Sequence, residues 1–327
     1  MDFTLEVYSS LLTILLDSGY LIMPVSDFSG RNKPEKGRQL FLRHDVDRHT
    51  ERSLAIAEIE RNMRIVGTYY FRAIPGSFDH RIIREIASLG HEIGYHYEDL
   101  DLAGKKSKAL LLQQTIRGQE NRESPSFART SKSKEIKHQM SRDEAEKYLA
   151  TLAFNSFRDN LAGLRAIAPV HTICMHGSPL SGYDSRLIWK YFDYGELGIE
   201  NEPYFDISLD DMLYLTDTGR RWDGSAVSIR DRVYLRDEQY FEQWVRKPVP
   251  GSAMAMTVQG EQLQKKFRFR KTTDIMNSAK TDGLPGLMLL TVHPQRWSNS
   301  LPACITELVI QNLKNTAKYI INKWHIE

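Results

Sequence analysis

Asp45 and Asp47 stand two residues apart in Arg43-His44-Asp45-Val46-Asp47, directly after the apolar run Leu40-Phe41-Leu42. On an extended segment this spacing puts both carboxylates on one face. Two carboxylates held together suit two tasks: one ligates a cation, and the other accepts a proton from a bound water. The same pair would also serve to cap a helix, since a helical pattern begins at Thr50. Three histidines occupy comparable places. His96 ends Gly94-Tyr95-His96, where a neutral imidazole makes a good metal ligand. His176 follows Thr172-Ile173-Cys174-Met175, and His293 follows Leu289-Leu290-Thr291-Val292. A histidine delivered to a strand end, as His293 is, can act as general acid. His91, five residues before His96, falls on the opposite strand face and reads as a packing or orienting residue. Any one of these histidines alone is compatible with a structural role. Their joint placement with Asp45 and Asp47, all just after predicted strands, points to one hydrolytic site built around a divalent metal.

The surrounding pattern supplies the elements that would position them. Leu5, Tyr8, Leu11, Leu12, Leu15 and Leu16 recur at helical spacing and Gly19 follows as a C-cap. A strand is predicted over Tyr20 to Val25, a polar loop over 29–38, and a strand from Gln39 into the Asp45/Asp47 segment. A helix over Thr50 to Asn62, a strand over Val66 to Phe71, a helix near His80 to Leu89 and a strand-like step over Glu92 to His96 follow at short spacing. This is the rhythm of parallel β/α units, whose chemistry sits on loops at the C-terminal strand ends. Residues 103–140 interrupt it with nine Lys/Arg against three Glu, which reads as a solvated helix and surface loop or as a lid for an anionic substrate. Ser141 with Glu144 forms a capping box for a helix to about Ala166. Strands follow at Thr172 to Met175 and Gly286 to Val292, a β-rich irregular stretch lies over 200–260, and a helix runs from about Ala303 to Trp324. The expectation is a single α/β domain over 1–327, with insertions near 103–140 and 200–265.

Composition removes several function classes. Hydrophobic residues make up 41% and charged residues 26%, which allows a large core, and a net charge of +2 gives no field that would recruit nucleic acid. Cys174 and Cys304 lie far apart, so they fit neither a disulfide framework nor a zinc knuckle and suggest a reducing compartment. Without a basic leader or a run of about 18 apolar residues, the expected setting is the cytoplasm with no membrane span. The sequence does not specify an oligomeric state.

With these residues in hand, the order HDVD (His44 to Asp47), GTYYF (Gly67 to Phe71), GHEIGYH (Gly90 to His96) and LLTVHP (Leu289 to Pro294) resembles the NodB-type polysaccharide deacetylases, carbohydrate esterase family four. The likeness is strong over 38–100 and weaker over 165–300. With GYHYEDL and the TDTGRRW stretch from Thr216 to Trp222, it is nearest to deacetylase-like proteins of O-antigen and surface-polysaccharide assembly. The resemblance implies a distorted, incomplete (β/α) barrel. It further implies metal-dependent removal of an N-acetyl group from an acetamido sugar, nucleotide- or lipid-linked. It assigns Asp45 as catalytic base, Asp47 and His96 as ligands of a divalent metal, Zn²⁺ by preference, and His293 as the acid that protonates the leaving amine.

Two departures from the family pattern matter. The second histidine of an H-x-x-x-H pair would stand at Leu100, and Asp99, on the same face of a helical turn, is the expected replacement ligand. Glu98, Asp101 and His176 are further candidates. The arginine-proline motif expected after the fourth strand reads His176-Gly177-Ser178-Pro179, so His176 is expected to meet substrate. Arg220 and Trp222 are also expected to bind sugar, because an indole can stack on a pyranose and a guanidinium can fork a carboxylate or phosphate. Two other readings stay open: a small-amide hydrolase on the same barrel, and a glycan-binding protein that has lost catalysis.

Overall fold

The structure is a computed structural model, and it describes residues 2–28, 37–106, 142–177, 185–222 and 258–300, with 302, 306 and 307 beyond. Residues 107–140 of the basic stretch, Ser141 of the expected capping box, Cys304 and most of the expected C-terminal helix lie outside the described residues.

The chain opens with helix α1 (Leu5–Asp17), capped by Thr4, whose hydroxyl accepts from the Val7 amide at 3.2 Å. Its Tyr8, Leu11, Leu12 and Leu15 are buried at the predicted helical spacing. Gly19 ends the turn at φ +82°, a conformation a side chain would strain. Then follow β1 (Tyr20–Met23), β2 (Arg38–Val46), α2 (Thr50–Asn62), β3 (Thr68–Phe71), α3 (His80–Ser88) and β4 (Glu92–Tyr97). Helix α3 is started by Asp79, which accepts from the Arg81 and Ile82 amides at 2.9 and 3.1 Å. Residues 99–106 are helical. The long α4 (Arg142–Arg165) leads to β5 (Val170–Met175). Two single helical turns, Ile188–Tyr191 and Pro203–Asp206, precede β6 (Leu213–Thr216). After α5 (Val258–Lys266) and α6 (Thr272–Lys280), β7 (Leu287–Val292) completes the sheet.

Among the described residues, seven strands pair in parallel in one sheet, in the order β5-β4-β3-β2-β7-β6, with β1 beside the first half of β2. Parallel strands are covered on both faces, so they read as continuous apolar runs. In β2 every residue from Leu40 to Val46 is buried. The architecture is α/β with a parallel sheet and flanking helices, and the strand ends that carry the histidines all lie at one edge of it.

Most expected elements fall within a residue or two of those observed. The stretch over 200–260 differs: its described part holds one short strand, β6, among turns, and the start of α5. Helices α5 and α6 carried no clear periodic signal because they are only nine residues long. Helix α6 is held by packing Ile275 and Ala279 into the core beside α1, a tertiary effect that local pattern does not reveal.

Candidate metal centre

The sheet register assembles the site. Val46 pairs with Phe71, and Phe71 with Tyr95. One residue on, Asp47, Arg72 and His96 therefore stand side by side. His96 pairs with Cys174 and Tyr97 with Met175, which places His176 beside Glu98. His44 pairs with Val292 across β2 and β7, so Asp45 and His293 are neighbours.

Along β2 the side chains alternate. Arg43, Asp45 and Asp47 face the site, whereas His44 turns to the opposite side. There its Nε2 meets the buried Glu60 carboxylate at 2.8 Å and its Nδ1 meets the Thr68 carbonyl at 3.1 Å. The Thr68 carbonyl can only accept, so Nδ1 carries the hydrogen, and Nε2 stands between the Glu60 carboxylate and the Tyr8 hydroxyl, 3.1 Å away. Tyr8 and Tyr69 donate to the same carboxylate. His91 lies on that side too: its Nε2–H donates to the Ala57 carbonyl at 3.0 Å and its Nδ1 accepts from the Gly67 amide at 3.2 Å.

Asp47, His96 and His176 converge, with one ligand atom from each lying within 4.8 Å of the others. The His96 Nδ1–H donates to the Cys174 carbonyl at 2.9 Å, which turns Nε2 toward Asp45 Oδ2 at 3.7 Å and Asp47 Oδ1 at 4.0 Å. His176 Nε2 is 3.5 Å from the same Asp47 Oδ1. Gln295 donates to Asp47 Oδ2 at 2.8 Å, while Oδ1 is out of contact with solvent and has no hydrogen-bond partner. A shielded carboxylate oxygen without a partner is costly, and here two imidazole nitrogens face it. Burial pushes the His96 imidazolium down to about 4, with the Asp45 charge opposing, so the ring is neutral near pH 7 and has a lone pair to give. Burial would raise the Asp47 carboxyl, but the neighbouring His176, His293, His96 and Arg72 together hold it below its usual range. One carboxylate and two imidazoles are a donor set suited to a divalent transition ion.

Asp45 lies at the same place but in a different state. Arg43 forks it with two bonds of 2.7 Å, Nε to Oδ1 and Nη2 to Oδ2. Burial alone would raise the Asp45 carboxyl. The charge of Arg43, then His96, the forked bonds and His293 outweigh burial and hold it well below the ordinary range. His293 is oriented by Asp217, a fully buried carboxylate whose Oδ1 faces Nδ1 at 2.6 Å and whose Oδ2 accepts from the His293 amide at 3.0 Å. Arg296 and the Trp297 indole bond the same carboxylate at 2.6 and 2.8 Å. Arg296 Nη1 also stands 2.9 Å from Nδ1, so the ring is held in place by that nitrogen. His49, Thr50, Gly76, Phe78, Asp79 and His80 line an open cleft of about 550 Å³, which none of the converging residues lines.

The structure thus brings together Asp45, Asp47, His96, His176 and His293. It does not bring Asp99 to them. Asp99 begins the helix over 99–106, and its carboxylate is wholly buried, accepting from Tyr95 (2.6 Å), Ser156 (2.9 Å) and Asn160 (2.7 Å). Burial raises its pKa, which those hydrogen bonds oppose. His176, not Asp99, completes the group that could hold a metal ion. Leu100 is fully buried in the core. Arg220 and Trp222 are committed to packing: the Trp222 indole is 3% exposed, donates to Thr272 at 2.9 Å and stacks on Phe3. Arg220 donates to the Arg296 and Asp2 carbonyls at 2.9 and 3.2 Å and lies over the Phe3 ring. The buried Trp222 presents no free face to a sugar among the described residues.

Sequence reasoning gave no role to Arg43, Arg72, Asp217 or Gln295. Arg43 was accessible through the i, i+2, i+4 alternation that joins it to Asp45 and Asp47. Arg72 and Gln295 come from parallel pairing and from the turn after β7, for which no local signal exists. Comparison with protein-family models, with curated proteins and with solved structures returned no match.

Proposed function

We propose that the chain is a metal-dependent amide hydrolase that removes an N-acetyl group from an amino sugar. The observation that carries this reading is the meeting of Asp47, His96 and His176 beside an Arg-clamped Asp45 and an Asp-oriented His293. Asp47, His96 and His176 would hold a divalent ion, Zn²⁺ by preference. Such an ion, when bound, supplies Lewis acidity toward an amide carbonyl and toward a water.

The chain's own residues do the rest. Asp45, ionised across the physiological range, accepts the proton of the attacking water, and the Arg43 fork aims its carboxylate. His293, with Nδ1 held by Asp217, gives a proton from Nε2 to the departing sugar nitrogen. The finer reading is a distorted, incomplete NodB-type (β/α) barrel acting in the cytoplasm on a nucleotide- or lipid-linked acetamido sugar during surface-polysaccharide assembly. It is supported by the motif order and by the all-parallel sheet with its site at one edge. Among the described residues no helix is long and apolar enough to cross a membrane.

The test is acetate release by purified protein from nucleotide-linked N-acetyl sugars with Zn²⁺, Co²⁺ or Mn²⁺. Release that is lost in Asp47→Ala is expected. No release from any N-acetyl sugar donor, together with no bound metal, would overturn the reading.

A further inference from the structure

The two ligand histidines are oriented by different devices. His96 lies within a strand and is pinned by a backbone carbonyl at 2.9 Å. His176 lies just past β5, and its backbone amide donates to the Tyr97 carbonyl at 2.9 Å. Its ring has no such carbonyl. Instead Glu98 Oε2 stands 3.3 Å from Nδ1, close enough for an ion-pair contact though not an aligned hydrogen bond. Glu98 is itself immobilised. Arg72 bonds both its oxygens, Nε to Oε1 at 2.8 Å and Nη2 to Oε2 at 2.7 Å, and the side chain is only 6% exposed. Arg72 also reaches toward the cluster, with Nη1 4.0 Å from Asp47 Oδ1. A free glutamate next to two histidines would compete to be a ligand. Forked by Arg72, it is held on the far side of the His176 ring.

We propose that Glu98, locked by Arg72, is the positioning residue of the third metal ligand: it fixes the ring of His176 so that Nε2, not Nδ1, faces Asp47 and His96. The proposal rests on the metal reading above and deepens it. A carboxylate behind a ligating imidazole fixes the tautomer and makes the ligating nitrogen more basic, and losing such a partner typically costs tenfold to a hundredfold in metal affinity. The Arg72–Glu98–His176 chain then supplies from three strand ends the orientation that an H-x-x-x-H pair obtains within one helical turn.

The experiment is a Zn²⁺ competition titration against a chromophoric chelator, with the visible spectrum of the Co²⁺-loaded full chain, on wild type, Glu98→Ala, Glu98→Gln and Arg72→Met. Circular dichroism melts establish that each variant is folded. We expect Glu98→Ala to bind Zn²⁺ about tenfold to a hundredfold more weakly with an altered Co²⁺ spectrum. Glu98→Gln, which keeps an acceptor oxygen, should recover most of the affinity and the spectrum. A folded Glu98→Ala with unchanged affinity and spectrum overturns the proposal and leaves the metal centre standing. Should Glu98→Ala not fold, Arg72→Met decides in the same way, because it releases Glu98 from its fork. A wild type that binds neither ion overturns the metal reading itself, a separate and distinguishable failure.

Discussion

The Arg43–Asp45 clamp lends itself to a quantitative test. Both side chains are almost fully buried, at 1% and 7% exposure, and two parallel bonds of 2.7 Å join them. With charge centres roughly 4 Å apart and an effective dielectric of about 20, their attraction is about 4 kcal/mol. Removing one partner leaves the other buried and unpaired, which typically costs about 3–5 kcal/mol. Arg43→Met keeps most of the volume and removes the charge. Metal-free Arg43→Met should therefore unfold in urea with a deficit of about 3–5 kcal/mol at pH 7. Asp45→Asn should also be destabilised, since it leaves the guanidinium without its counter-charge. The double variant should be less destabilised than the sum of the two. The sign with pH follows from linkage. In wild type the Asp45 pKa is depressed, so its stabilisation is present above the ordinary carboxylate range and is lost as pH falls toward the folded value. In Arg43→Met, burial acts without its largest opponent and the pKa moves up. Protonation then relieves the variant, and its deficit should narrow as pH is lowered through the carboxylate range. Strictly additive deficits, unchanged with pH, would refute the reasoning.

Three further outcomes follow from the same geometry. A Cβ at Gly94 would meet two ring carbons of buried Tyr70 at 2.3 Å, so the ring must shift by more than about 1 Å to reach normal contact. Gly94→Ala should lower thermal stability by about 3 kcal/mol, and an unchanged melting temperature would contradict this packing. Leu100 is fully buried, so Leu100→His should cost roughly 2–4 kcal/mol and should not restore metal binding to a His176→Ala background. Zn²⁺ titration of the double variant checks this, and restored binding would contradict the placement of Leu100. His96 titrates at about 4 when folded, below the ordinary histidine value, so metal-free stability should fall as pH drops from the ordinary value toward 4, by at most about 3 kcal/mol. His96→Gln should flatten that slope, as read from urea unfolding across pH, and an unaltered slope would place the effect elsewhere.

Much of the framework is legible in the sequence, because β2 to β4 alternate with helices at short spacing and each ends in polar residues. That rhythm is local. What was not legible depends on which strand lies beside which. Asp99 was the natural substitute for the missing histidine by helical spacing, yet the helix over 99–106 starts at that residue and Tyr95, Ser156 and Asn160 hold it. His176 reaches the site because β5 pairs with β4 in a register that sets it beside Glu98. Trp222 looked like a sugar platform from its type and its neighbours, but Phe3 and Thr272, distant in sequence, enclose it. The candidate ligand set is thus a property of parallel pairing, and single-residue spacing cannot disclose it.

The account stands most directly on which residue completes the metal centre. Bound Zn²⁺ per chain should be measured after equilibrium dialysis for wild type, His176→Ala and Asp99→Asn. Asp99→Asn keeps the volume and acceptor oxygen of the original side chain. The account predicts one ion in wild type and in Asp99→Asn, and its loss in His176→Ala. Full occupancy in His176→Ala with loss in Asp99→Asn would contradict it.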